Sequence, residues 1–145
     1  MKLTPLPAGM RRATVRLWWV GAALAATTAG LSVAHGKTGF APVYATVTVA
    51  LAAMATRTRR GERWAEKVSL VGLGSQIPGA IGAAWALLAD DEGSAKARHL
   101  HDLGVNYRAA VAANLAYSVA AAAVFVRAVA GREDRPGGPD GPPHP

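Results

Sequence analysis

Four stretches of the chain carry no Asp, Glu, Lys or Arg, at residues 17–34, 38–56, 68–89 and 109–126, with lengths of 18, 19, 22 and 18. Crossing a hydrocarbon layer of ~30 Å takes about 20 mostly apolar residues. A helix of a soluble bundle keeps a polar face turned to water. Here whole turns are apolar all round, as in VAANLAYSVAAAAVFV at residues 111–126. The pattern predicts an all-α integral membrane bundle of four transmembrane helices, spanning about residues 17–35, 38–56, 68–89 and 106–127 within a transmembrane domain at 17–130.

In a membrane protein the net charge of +7 is informative through its distribution. The segment before the first stretch holds Lys2, Arg11, Arg12 and Arg16. Between the second and third, RTRRGERWAEK supplies Arg57, Arg59, Arg60, Arg63 and Lys67. After the fourth come Arg127, Arg132 and Arg135, while the two intervening loops hold only Lys37, Lys96, Arg98 and Arg108. That split of twelve against four places both termini and the 57–67 loop in the cytoplasm by the positive-inside rule, and localises the chain to the cell membrane as a multi-pass protein. Trp18, Trp19 and Phe125 then fall near the inner edge, and Phe40, Tyr44, Trp85 and Tyr107 near the outer one, where amphipathic rings favour the headgroup level.

Residues 1–16 read as a basic cytoplasmic arm. SVA at residues 32–34 is a passable signal-peptidase site, although the apolar run is long for a signal and three more follow it, so the sequence leaves processing of the first span open. HGKTG makes a tight outer turn, Pro42 suits a first helical turn, and part of the 90–107 loop has helical character. The fourth helix is expected to begin near Asp102 and to reach about Ala130. The segment 131–145, with five prolines and four glycines, is expected to be a disordered cytoplasmic tail.

The glycine-rich stretch GLGSQIPGAIG at residues 72–82 has the composition of a phosphate loop. Such a loop needs a preceding strand and an aqueous setting, and neither fits the middle of a span. The stretch reads better as a helix-packing surface of Gly72, Ser75, Gly79, Gly82 and Ala83, since small residues let helices approach closely in lipid. Pro78 removes one backbone hydrogen bond and crowds the carbonyl of Gly74, which predicts a kink. Gln76 and Asn114 are amides within spans and need partners. They meet each other, enclose a polar cavity between the third and fourth spans, or bond their own helices.

HLHD at residues 99–102, near Asp90, Asp91 and Glu92, invites a metal reading. Its two histidines are two apart and match no ligand spacing, so a solvated outer loop is the expectation and no metal or other cofactor is assigned. The absence of cysteine excludes disulfides, thiol redox chemistry and cysteine-ligated metals. No ionisable group lies deep in a span, which disfavours proton-coupled transport. No catalytic arrangement of carboxylates, or of Ser, His and Asp, stands out, so the chain is read as a non-enzyme. The basic 57–67 loop serves as a topology signal. It also attracts anionic lipid at about 1 kcal/mol per basic residue, and its charge would suit a DNA backbone.

Small size, alanine and arginine richness, four apolar stretches and the Pro/Gly tail together make the chain similar to the hydrophobic spread proteins of actinomycete conjugative plasmids. The resemblance implies a helper role in moving plasmid DNA between hyphal compartments, and no family site attaches to a residue here. Three roles follow as expectations: a membrane component that self-associates or joins other membrane proteins, a small oligomeric channel or transporter subunit, and an accessory subunit of a membrane complex.

Overall fold

A computed structural model describes residues 5–89 and 93–133. Among them all regular structure is helical: α1 Ala8–Ala34, α2 Ala41–Arg59, α3 Arg63–Gly74, α4 Gln76–Leu88, α5 Ala95–Asp102 and α6 Tyr107–Glu133. α1, the α3–α4 segment and α6 are long and apolar enough to cross a membrane. α2 is not among them. Its 19 residues include four threonines, Pro42 and two arginines, which dilute an otherwise apolar helix. The hydroxyls of Thr46, Thr48 and Thr56 each donate to the carbonyl four residues earlier, at 2.8 to 2.9 Å, so much of that polarity is satisfied within the helix.

α1 begins inside the stretch read as a basic arm. Pro7 precedes its first residue, and a fixed φ near −65° suits a helix start. Arg11, Arg12 and Arg16 therefore stand on the first turns of the helix and not on a separate arm. Three helices end in the same way. After α1, α2 and α5 the chain turns through Gly36, Gly61 and Gly104, with φ of 68°, 74° and 67°. In each case the next residue bonds back across the turn, as Lys37 N–H does to the Ser32 carbonyl at 2.8 Å. A side chain at these left-handed positions would clash with its own backbone, which is why glycine stops the helix there. Gly104 thereby separates α5 from α6, whose first turn is capped by the Asn106 side chain accepting from Ala109 N–H at 3.0 Å.

The chain forms two antiparallel hairpins, α1 with α2 and α3–α4 with α6. They join most closely at one end, where Leu6 is buried against Leu70 of α3 and Ala128 of α6, with Met10 and Phe125 packed around them. That end also carries the α2–α3 turn, where Gly61 lies against the Arg11 guanidinium. At the opposite end the α1–α2 turn meets α5 through a Lys37–Asp102 ion pair of 3.0 Å. Arg11 and the 57–62 turn thus lie at the same end of the bundle.

Small polar residues share the interior with the apolar core, and large apolar residues lie outside. Thr14, Ser32, Thr58, Ser69 and Ser118 are fully buried, whereas Val71, Trp85 and Leu88 expose 74%, 71% and 82% of their surface. Glycines set the close approaches between helices. A Cβ at Gly72 would lie 2.7 Å from the Trp18 ring, and one at Gly21 would lie 2.9 Å from the Tyr117 hydroxyl.

Candidate functional site

Three clusters hold the candidate residues, and the first is the 72–82 stretch. The helix is interrupted at Ser75, three residues before Pro78 and next to the Gly74 carbonyl that the proline leaves unbonded. The interruption has a direct cause. The proline nitrogen has no hydrogen to give the Gly74 carbonyl, and its ring crowds that oxygen, so the turn containing Gly74 and Ser75 gives way. The Ser75 hydroxyl donates to the Gly72 carbonyl at 2.8 Å and steadies the irregular turn.

Of the five residues read as a packing surface, three face the rest of the bundle. Gly72 receives the Trp18 ring, a Cβ at Gly79 would sit 3.5 Å from Ser118 Oγ, and Ala83 is buried. Ser75 and Gly82 are exposed, and nothing lies within 4 Å of a Cβ at Gly82. At about 100° per residue Gly72, Gln76, Gly79 and Ala83 fall on one side of the helix and Ser75 and Gly82 beside it, so the face is narrower than the five small residues suggest. The two span amides do not meet. The Ser118 hydroxyl donates to Gln76 Oε1 at 3.3 Å across the α4–α6 contact. Asn114, one turn before Ser118 on α6, is exposed and lines a different cavity.

The second cluster lies at the basic end and is built around Glu66 of α3, whose side chain is 5% exposed. Its Oε1 accepts from Arg11 Nε at 2.7 Å, and its Oε2 accepts from the Leu6 backbone N–H at 3.1 Å. One turn further, Ser69 Oγ accepts from Trp18 Nε1 and shares a hydrogen bond with Thr58 Oγ1, both at 2.9 Å. This network ties α1, α2 and α3 together through five side chains. Thr14 Oγ1 is buried in α1 with no hydrogen-bond partner among the described residues. Sequence alone does not single out Glu66, Ser69, Thr58 or Thr14, because Glu66 falls just outside an uncharged stretch. A helical projection would have placed Glu66 and Ser69 on one face with Leu70 and Leu73, the face that α3 buries.

The basic residues of the 57–67 segment point outward. Arg57, Arg59, Arg60, Arg63 and Lys67 are all exposed. Arg57 lies 5.2 Å from the Trp64 ring centroid and 3.7 Å from Glu62, whose carboxylate also accepts from Trp64 Nε1 at 2.8 Å.

The third cluster is at the opposite end. The Lys37 ammonium holds the Asp102 carboxyl below its ordinary value, first by its hydrogen bond and then by its charge. Phe40 meets the His99 ring edge-on at 4.8 Å between centroids, and His99 Nε2 is buried without a partner among the described residues. His101 points instead toward an open pocket shared with Asp102 and Asn106. Among the described residues no three His, Cys, Asp or Glu come together to hold a metal ion. Asp90, Asp91 and Glu92 lie outside the described residues, as does the tail beyond Glu133.

These features define an all-α protein with three apolar helices of membrane-crossing length, compatible with a membrane protein. Compared with known proteins, the chain matches no family model, no curated protein and no solved structure.

Proposed function

We propose that this chain is a four-span membrane protein with both termini in the cytoplasm, that it acts by assembling in the bilayer without turning over a substrate, and that this assembly aids the spread of a conjugative plasmid. The burial pattern carries the membrane reading: five hydroxyls and one carboxylate lie inside, all but Thr14 with a hydrogen-bond partner, while valines and a tryptophan face outward. In water such an arrangement would leave apolar surface exposed and polar groups desolvated, both unfavourable. In lipid both become favourable.

Two features support assembly. α6 leaves uncovered a face with Ala112, Ala116, Ala120 and Ala123, close to the small-residue spacing that brings helices together in lipid. The basic end presents its cations outward, available to anionic lipid or to partner proteins. The plasmid role rests on the resemblance described above.

The test has two parts. Cross-linking of the membrane-embedded protein should give a dimer or larger species, which Ala116→Phe weakens while the analogous Val71→Phe does not. Deleting the gene should leave initial transfer intact and shrink the zone over which the plasmid spreads. Monomeric protein together with undiminished spread would reject the reading.

A further inference from the structure

Between the two hairpins, at the end opposite the basic cluster, lies a cavity of about 550 Å³ bounded by α1, α6 and the short helix α5. Its walls are mainly apolar, with Leu24 and Leu31 from α1, Leu100 and Leu103 at the α5 side, and alanines from α6. Besides the phenol of Tyr44 from α2, two groups break that pattern. Lys96 stands on the first turn of α5, exposed and with no ion-pair partner among the described residues. Asn114 lies on α6 seven residues beyond Tyr107, roughly 10 Å along the axis, and its amide makes no hydrogen bond within the described residues. The hydroxyls of Thr27 and Thr28, on the same lining, are already committed to the carbonyls of Ala23 and Leu24 at 2.9 Å.

We infer that this cavity is a binding site for one anionic phospholipid molecule, with the phosphate at Lys96, an acyl chain along Leu24, Leu31 and Leu103, and a glycerol-ester carbonyl accepting from the Asn114 amide. The inference rests on the membrane reading above. Charge complementarity selects the occupant. A cation at the mouth fits a phosphate, and apolar walls fit an acyl chain. An amide left bare at membrane depth is costly, and an ester carbonyl is the acceptor that a phospholipid carries just below its phosphate. A second copy of this chain would bring an apolar helix and would leave both Lys96 and Asn114 unanswered.

The test uses the full chain reconstituted in phosphatidylcholine vesicles containing a small fraction of phosphatidylglycerol with a photoactivatable acyl chain. Labelled peptides are mapped by mass spectrometry. Labelling is expected to concentrate on residues 24–31 and 109–114. It should fall about fivefold in Lys96→Gln, the equilibrium weight of one basic residue near an anionic headgroup, and severalfold in Asn114→Leu. The same photoactivatable chain on phosphatidylcholine should label these segments severalfold less. Labelling spread evenly over outward positions such as Val71 and Val119, equal labelling by the two lipids, or indifference to both substitutions overturns the proposal. Helical circular dichroism and vesicle flotation of each variant separate this result from a failure to fold. If the unaltered chain does not float with the vesicles, the membrane reading fails, and this inference fails with it.

Discussion

Single residues decide how closely the helices of this bundle meet. Gly72 and Gly82 belong to the same glycine-rich stretch, and their surroundings separate them. A Cβ at Gly72 meets the Trp18 ring at 2.7 Å, while one at Gly82 meets nothing within 4 Å. Gly72→Ala is therefore expected to destabilise the detergent-solubilised protein by about 1–3 kcal/mol through overpacking, whereas Gly82→Ala is neutral. Thermal unfolding followed by circular dichroism reads both, and equal midpoints would contradict the assigned contact. At Glu66, replacement by Ala strands the Leu6 N–H and removes the Arg11 partner, an expected loss of about 1–3 kcal/mol. Glu66→Gln keeps an acceptor for one of the two donors and should fall between Ala and the unaltered protein. The Lys37–Asp102 ion pair behaves differently, because both side chains are exposed. Its carboxyl titrates below the ordinary value of 3.8 because Lys37 stabilises the charged form. Whatever that pair contributes is complete above the unfolded value and fades as pH falls through the lowered folded one. Lys37→Met should return the Asp102 titration, followed by carboxyl NMR shifts, toward 3.8. An unchanged titration would remove Lys37 as the cause.

At the scale of elements, helix type and approximate extent were legible, and the irregularities were legible only in part. Uncharged runs locate α1, α2, α3–α4 and α6 because an all-round apolar helix leaves no other solution in lipid. Glycines after α1 and α2 mark their ends through a local rule that the sequence carries openly. What it does not carry is which neighbour each face meets. The Pro78 effect was foreseeable from the ring and the Gly74 carbonyl, and helical spacing sets Ser75 and Gly82 beside the side shared by Gly72, Gln76, Gly79 and Ala83, yet only the fold shows that Gln76 accepts from Ser118 while Asn114 is exposed. The buried network at Glu66 and Ser69 is hidden for a related reason, since its partners on the α1 side come from residues 51 to 60 positions away. Pro78→Ala restores a donor to the Gly74 carbonyl and removes the ring clash. It should straighten the α3–α4 segment and shift Phe125 off Gly74, where a Cβ would already lie 3.1 Å from the ring. Spin labels at positions 67 and 85 should report a longer separation in the variant. An unchanged distance would mean that the break has another origin.

For the whole molecule the critical question is the number of crossings, and α2 decides it. Three helices have the length and apolarity to cross. With those alone the two termini would lie on opposite sides of the membrane. In the structure, however, α2 traverses the bundle from the Lys37 turn to the Gly61 turn, so that Leu6, the 57–62 segment and Ala128 all gather at one end. Its 19 residues cover about 28 Å at 1.5 Å per residue, close to the ~30 Å hydrocarbon thickness. Three of its threonines are bonded to their own helix, and Arg57 and Arg59 sit in its last turn, where long stems reach the interface. The expected topology is therefore four crossings with an even parity. Fluorescent and phosphatase reporters fused after Arg60 and Arg132 should be fluorescent and phosphatase-negative, and fusions after His35 and Ser94 the reverse. Phosphatase activity after Arg132, with a fluorescent fusion at the N-terminus, would establish an odd number of crossings. It would remove α2 from the membrane and separate the basic 57–67 loop from one terminus. Exchanging Arg57, Arg59 and Arg60 for Gln weakens the same signal without touching a buried contact. A mixed population of orientations is expected from that variant, because positive charge near span ends sets orientation, whereas a purely packing-determined topology would leave the reporters unchanged.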